Sequence, residues 1–126
     1  MTTKAQISIA TATGDTTKTA IDTITVPQNV RRIIGVWCYG IAGPGMTTLE
    51  NITGFFELES PDLNMQPLQL PLDCVGVLTS GAVAFNPRVW PVDIPVSGGA
   101  KITGYVTMDM ALTVALKARF GLVYEV

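Results

Sequence analysis

The sequence predicts an all-β protein, an eight-stranded antiparallel β-sandwich in which a jelly-roll arrangement is favoured. Three observations support this: apolar residues alternate with polar ones along most of the chain, sustained helical spacing is absent, and 12 glycines and 8 prolines supply turns between short strands. The 126 residues suit one domain, residues 1–126, with a core that needs no metal or disulfide. The chain lacks the Cys…Trp…Cys framework of immunoglobulin-like sandwiches, which favours the jelly roll.

The N-terminal part of the chain contains two strand patterns. Ala5, Ile7 and Ile9 alternate with polar residues, which predicts a first strand. A run rich in β-branched residues follows over residues 19–26, and Pro27 is expected to end it.

Residues 31–41, with the sequence RRIIGVWCYGI, form a strand pattern of a different kind. Apolar residues occupy both of its faces: Ile34, Val36 and Cys38 on one, and Ile33, Trp37, Tyr39 and Ile41 on the other. A strand that is apolar on both faces needs cover on both faces. The following AGPGM, residues 42–46, is expected to break the chain direction.

Three later segments alternate with the same period. Residues 52–58 place Ile52, Gly54, Phe56 and Leu58 on one face, and a short strand is expected over residues 78–86. Residues 67–74 and 90–96 alternate apolar residues with prolines. Because proline has no backbone N–H to donate to a ladder, both of these segments are expected at sheet edges.

The C-terminal part of the chain is apolar at nearly every even position from residue 102 to residue 126. A single strand of that length would span about 80 Å, so a turn must interrupt it. A three-residue hairpin loop preserves the alternation, which favours a turn at 109–111 with Met108 facing Leu112; a five-residue loop is the alternative. The last strand is then expected over residues 112–126, with Gly121 as a bend.

Residues that carry chemistry are few, and the sequence predicts neither an enzyme nor a cofactor or metal site. The chain has no histidine, which excludes Ser–His and Cys–His catalysis and histidine-ligated zinc. Cys38 and Cys74 are interpreted as buried free thiols, with a disulfide as the alternative. Glu57 and Glu59 share one strand face at a spacing compatible with glycoside chemistry, but a solvated strand face is the preferred interpretation.

The charge balance and the N-terminus limit the partners and location of the chain. A formal net charge of −2 gives no basic stripe for nucleic acid. No secretory signal and no membrane-spanning run is recognised, so a cytoplasmic protein, or one assembled in the cytoplasm, is expected. With only 14% charged residues, part of the surface is expected to be covered by copies of the chain or by related subunits.

The aromatic residues have two interpretations. Trp37, Tyr39, Ile41 and Phe55 are predicted to form a subunit interface, because interfaces are rich in aromatic residues. The alternative is a carbohydrate-binding module in which Trp37 and Tyr39 stack against sugar rings. Trp90 lies among inward-facing aliphatic residues and is interpreted as part of the core.

Three segments resemble a known family: VRRIIGVWCYGIAGPG, FFELESPDLNMQPLQLPL and the terminal VALKARFGLVYEV. They are similar to the single-jelly-roll capsid proteins of tailless icosahedral double-stranded DNA viruses, especially those that infect archaea and thermophilic bacteria. The resemblance implies a jelly roll that self-associates into capsomers and is found in the virion. It implies no catalytic residues.

Overall fold

A computed structural model describes residues 3–12, 18–46, 54–62, 67–78, 88–109 and 116–125. Among these residues the structure contains nine strands and no helix. The strands are β1 (Thr3–Ala12), β2 (Thr19–Thr25), β3 (Arg32–Met46), β4 (Gly54–Glu59), β5 (Leu68–Pro71), β6 (Asp73–Leu78), β7 (Trp90–Pro95), β8 (Lys101–Met108) and β9 (Leu116–Glu125).

The strands form two sheets. Sheet A has the order β1-β9-β3-β6, and β7 also pairs with β3; sheet B has the order β2-β8-β4-β5. All of these pairs are antiparallel except β3–β6, which is parallel. The prediction of an all-β sandwich is confirmed.

The core lies between the two sheets and follows the alternation along each strand. In β9 the even positions from Leu116 to Tyr124 are at most 1% exposed, and in β8 the even positions from Ile102 to Met108 are buried. Phe56 of β4 and Phe120 of β9 meet across the core with ring centroids 5.3 Å apart. The inner faces of both sheets are therefore the apolar faces that the sequence pattern indicates.

The register of β3 differs from the prediction at two points. A bulge between Ile33 and Gly35 places Ile33, rather than Ile34, in the core with Val36 and Cys38. A bulge adds one residue without a partner, so the alternation changes phase at that point. The expected break at 42–46 is also wrong, because β3 continues to Met46; its pairing with β9 ends at Ala42, and its pairing with β6 resumes at Met46 after a register shift.

The proline-containing strands lie at sheet edges, as predicted. β5 pairs only with β4, and β7 pairs only with β3. Only Leu72 separates β5 from β6, so the chain passes from sheet B to sheet A at this residue. Leu72 itself is buried.

The predicted hairpin at 109–111 is wrong, because β8 belongs to sheet B and β9 belongs to sheet A. The alternation is preserved for another reason: both strands direct their even residues into the same core from opposite sides. Residues 110–115 lie outside the described residues, as do residues 79–86 of the strand predicted at 78–86, whose first residue, Leu78, ends β6.

Candidate subunit interface

The outer face of sheet A brings together three of the four predicted interface residues. After the bulge, β3 directs Val36 and Cys38 inward, so Trp37, Tyr39 and Ile41 alternate to the outer face. Trp37 and Ile41 are half-buried within the single chain. Three of the four residues predicted for the interface thus lie together on one surface of the chain.

The two aromatic rings of this surface pack on each other. Trp37 and Tyr39 have ring centroids 5.9 Å apart and an interplanar angle of 18°, an offset-stacked arrangement. Tyr39 is only 9% exposed, whereas Trp37 keeps more of its surface open. A partner would therefore contact Trp37 and Ile41 more than Tyr39.

Two valines extend this apolar surface toward the beginning of β3. Val123 lies opposite Gly35 on the outer face, and it is half-buried. Val89 is 55% exposed, and a Cβ at Gly35 would lie 2.8 Å from its Cγ1 and 3.3 Å from Val123. We call this group of residues the outer patch: Trp37, Tyr39, Ile41, Val89 and Val123.

Cationic residues border the outer patch on β9. Arg119 lies opposite Tyr39 and Lys117 lies opposite Ile41, and both are exposed. An apolar centre with a charged rim is the usual composition of a protein–protein interface.

Phe55, the fourth predicted interface residue, lies elsewhere. It is half-buried in β4 and pairs with Pro71 and Thr107, on the outer face of sheet B. The sequence showed that Phe55 points away from the core but not which sheet it belongs to. The structure therefore separates Phe55 from the outer patch by the thickness of the sandwich.

Sequence reasoning did not identify Val89 or Val123. Val123 could have been found, because it breaks the otherwise polar outer side of β9. Val89 precedes β7 and gives no periodic signal, so only the packing against Gly35 reveals it.

An ion pair and a ring contact join β6 and β7 at the edge of the outer patch. Asp73 of β6 accepts hydrogen bonds from Nε of Arg88 at 3.2 Å and from its Nη2 at 2.5 Å. The same guanidinium lies 4.6 Å from the ring centroid of Trp90. Arg88 thus links the two short strands that share one edge of β3.

Trp90 occupies a border position rather than the centre of the core. It is half-buried beside the inward-facing Val92, Ile94 and Val96, which pack against the core. Its Nε1 is buried and has no hydrogen-bond partner in the part of the chain that the structure describes. The prediction that this segment packs on the core therefore holds for the aliphatic residues of β7. The ring of Trp90 itself lies at the sheet edge, next to the guanidinium of Arg88.

Glu57 and Glu59 lie on the outer face of sheet B, and both bind Lys18. Lys18 Nζ lies 3.3 Å from Glu57 and 2.5 Å from Glu59, and 4.5 Å from the ring centroid of Tyr105. The hydrogen bond to Glu59 raises the pKa of Lys18. A shallow depression of about 530 Å³ adjoins Glu59 and Tyr105. The carboxylates are ion-paired to Lys18, and the side chain of Glu57 is only 12% exposed, so this strand face is less solvated than the preferred interpretation expects.

The two cysteines are free, as preferred from the sequence. Burial, with a further contribution from Asp73, raises the pKa of Cys38 to about 12 and that of Cys74 to about 11. Both thiols are therefore protonated near neutral pH and react slowly. Within the described ranges, no cluster of three or more Cys, Asp or Glu residues could hold a metal ion.

No helix long and apolar enough to cross a membrane occurs among the residues that the structure describes.

Comparisons with protein-family models, with curated proteins and with solved structures find no match to this chain.

Proposed function

We propose that this protein is a structural subunit that assembles with copies of itself, and that it forms part of a viral capsid. The observation that carries the proposal is the outer patch, an apolar surface with an aromatic centre on the side of sheet A that faces away from the core. Contiguous apolar surface of this kind on the outside of a β-sandwich favours a protein partner.

Burial of the outer patch by a second copy supplies the driving force for association. Apolar surface removed from water contributes about 25 cal/mol per Å² before the entropic cost of association. A stable interface needs about 800 Å² from each subunit, and the chain exposes 6814 Å² in total. The outer patch would form the centre of such an interface, with Lys117 and Arg119 at its rim.

The strand pairing supports a jelly roll. Because only Leu72 separates β5 from β6, they count as one strand in an eight-strand scheme. The first strand then pairs with the eighth (β1–β9), the second with the seventh (β2–β8), the third with the sixth (β3–β7) and the fourth with the fifth (β4–β5). A long antiparallel hairpin rolled into two sheets has this pairing, and jelly rolls are frequent in viral capsids.

The resemblance of three segments to single-jelly-roll capsid proteins selects the capsid among possible assemblies. Two of these segments contribute to the proposed interface, since one contains Trp37, Tyr39 and Ile41 and another contains Val123. A capsid subunit works by binding its neighbours, so this proposal assigns the protein no catalytic step.

The rival hypothesis is a carbohydrate-binding module with Trp37 and Tyr39 as its stacking surface. Tyr39 is only 9% exposed, so one of the two stacked rings offers little surface to a sugar. The observation favours a protein partner over a glycan. Binding of the Trp37→Ser variant to a glycan array at wild-type strength would remove Trp37 from any sugar site.

Light scattering after size-exclusion chromatography tests the proposal with a matched pair of variants. We expect the wild-type chain to run as a multimer at micromolar concentration and Trp37→Ser to weaken association at least tenfold. Tyr105→Ser removes an outward aromatic ring from the other sheet and is expected to leave association unchanged. A wild-type chain that stays monomeric, or equal effects of both substitutions, would overturn the proposal.

A further inference from the structure

The free edges of the two sheets differ in how well they resist strand addition. Native proteins protect edge strands with prolines, short length or irregular register. β5 has four residues and ends at Pro71, and β7 contains Pro91 and Pro95. β2 has a register shift between Ala20 and Asp22, and β6 has six residues with an irregular register against β3.

β1 has none of these protections. It is ten residues long, contains no proline, and pairs with β9 in ten consecutive positions without a register shift. Its sequence, TKAQISIATA, contains one charged residue, Lys4. In the described part of the chain no strand forms a ladder with its second edge; β2 comes near β1 without pairing with it.

We propose that the free edge of β1 pairs antiparallel with β1 of a second copy of this chain. The pairing would join two copies of sheet A into one continuous sheet across a twofold axis. It would satisfy the backbone N–H and C=O groups along an edge of ten residues. The inference rests on the proposed self-association and names a second surface for it.

A second copy is favoured over another partner because the contact then closes on itself. An antiparallel strand paired with its own copy gives an isologous twofold contact, which ends at two subunits and leaves no β1 edge open. The register also matters, since Ala5 and Ile7 lie opposite Val123 and Gly121 of the outer face. Directly opposite residues share a sheet face, so the twofold axis would bring the outer patches of two subunits onto one continuous surface.

Two different contacts on each subunit explain how an assembly can grow beyond a dimer. The β1 edge alone gives a pair of subunits, and the outer patch alone gives a separate contact on another surface. A subunit that uses both contacts can join more than one neighbour, as a shell requires.

A cysteine scan of β1 tests the pairing. Directly opposite residues of an antiparallel pair lie on the same face of the sheet. If two copies of β1 pair about a twofold axis, the axis must therefore pass beside one residue of β1. That residue then lies directly opposite the same residue of the second copy. We would prepare Gln6→Cys, Ile7→Cys, Ser8→Cys and Ile9→Cys separately and oxidise each with diamide near neutral pH. The native Cys38 and Cys74 are protonated there and are not expected to interfere.

One of the four variants is expected to form a covalent dimer at least tenfold faster than the other three. The same crosslink is expected when Trp37→Ser is added, since Trp37 lies on β3, which β9 separates from β1. Equal or undetectable crosslinking of all four variants would overturn the β1 pairing. That result would not bear on the proposed role of the outer patch, which is tested separately by the loss of association in Trp37→Ser.

Proline substitutions provide a second test that does not depend on disulfide chemistry. Adjacent residues of a strand direct their N–H groups alternately to β9 and to the free edge, so one of Ser8→Pro and Ile9→Pro keeps the ladder to β9. Of these two variants, the one that keeps the ladder to β9 is identified by its higher thermal midpoint. It is expected to remain folded and to lose at least tenfold in association; wild-type association by this variant would contradict the proposal.

Discussion

Gly104, in the middle of β8, lies directly beneath the aromatic pair of the core. A Cβ at this position would lie 2.7 Å from Cε1 of Phe120 and 2.8 Å from Cε1 of Phe56. Both rings are 0% exposed and pack on each other, so neither can move without displacing other core residues. We therefore expect Gly104→Ala to destabilise the protein, although glycine in a strand is usually unfavourable.

The expected size follows from two opposing terms. Overpacking a core by one methyl group costs about 1–3 kcal/mol, and replacing glycine by alanine recovers about 0.4–1 kcal/mol through the unfolded chain. The net loss is about 1–2 kcal/mol of unfolding free energy, which corresponds to a fall in Tm of about 4–8 °C for a domain of this size. Urea denaturation and a thermal scan measure both quantities.

Gly35→Ala is the matched control for this prediction. Its new Cβ would lie equally close, 2.8 Å, to Cγ1 of Val89, but Val89 is 55% exposed and can turn away. Because Gly35 is buried and its new Cβ would also lie 3.3 Å from Val123, we expect a small loss, about 1 kcal/mol or less and below that of Gly104→Ala. A Gly104→Ala variant as stable as the wild type, or an equal loss in Gly35→Ala, would refute the argument from ring immobility.

Three further predictions concern buried or edge polar groups. Tyr124→Phe is expected to leave stability unchanged or raise it by about 1 kcal/mol in urea denaturation, because the buried Oη has no hydrogen-bond partner among the described residues. A loss of more than about 1 kcal/mol would contradict this prediction and show that the hydroxyl has a hydrogen-bond partner. The contribution of Cys38 and Cys74 to stability is expected to be constant below pH 9.0, the ordinary pKa of a thiol, and to fall as pH rises toward about 12, because burial raises the pKa of both thiols and the folded state binds their protons more tightly. Cys38→Ala should flatten this pH dependence, and an unchanged slope would contradict it. Arg88→Lys is expected to lower the urea midpoint slightly, because lysine cannot bind Asp73 through two N–H groups, and Asp73→Asn should remove the difference between Arg and Lys in a double-mutant cycle.

The alternation of apolar residues was sufficient to predict the β-sandwich, and the positions of the prolines were sufficient to predict the edge strands. Alternation reports which residues face a core, because period two is a local property of a strand. Proline likewise acts locally, since the missing N–H excludes a ladder on one side. These rules located the inward residues of β8 and β9 and placed β5 and β7 at edges.

Alternation cannot tell which sheet a strand joins. The even residues of β8 and β9 keep one parity whether the chain turns back within a sheet or crosses the core, so the hairpin prediction failed. The same ambiguity placed Phe55 with Trp37, although the two lie on opposite outer faces. The bulge at Ile33–Gly35 depends on pairing with β7 and β9 and leaves no pattern in β3 itself.

The fluorescence of Trp37 is the most direct measure of whether a second copy covers the outer patch. In a Trp90→Phe background, Trp37 is the single tryptophan of the chain. As the concentration rises and light scattering reports association, its emission is expected to shift to shorter wavelength and acrylamide quenching to decrease. Association without any change at Trp37, or a Trp37 that stays open to acrylamide in the assembled protein, would contradict the account.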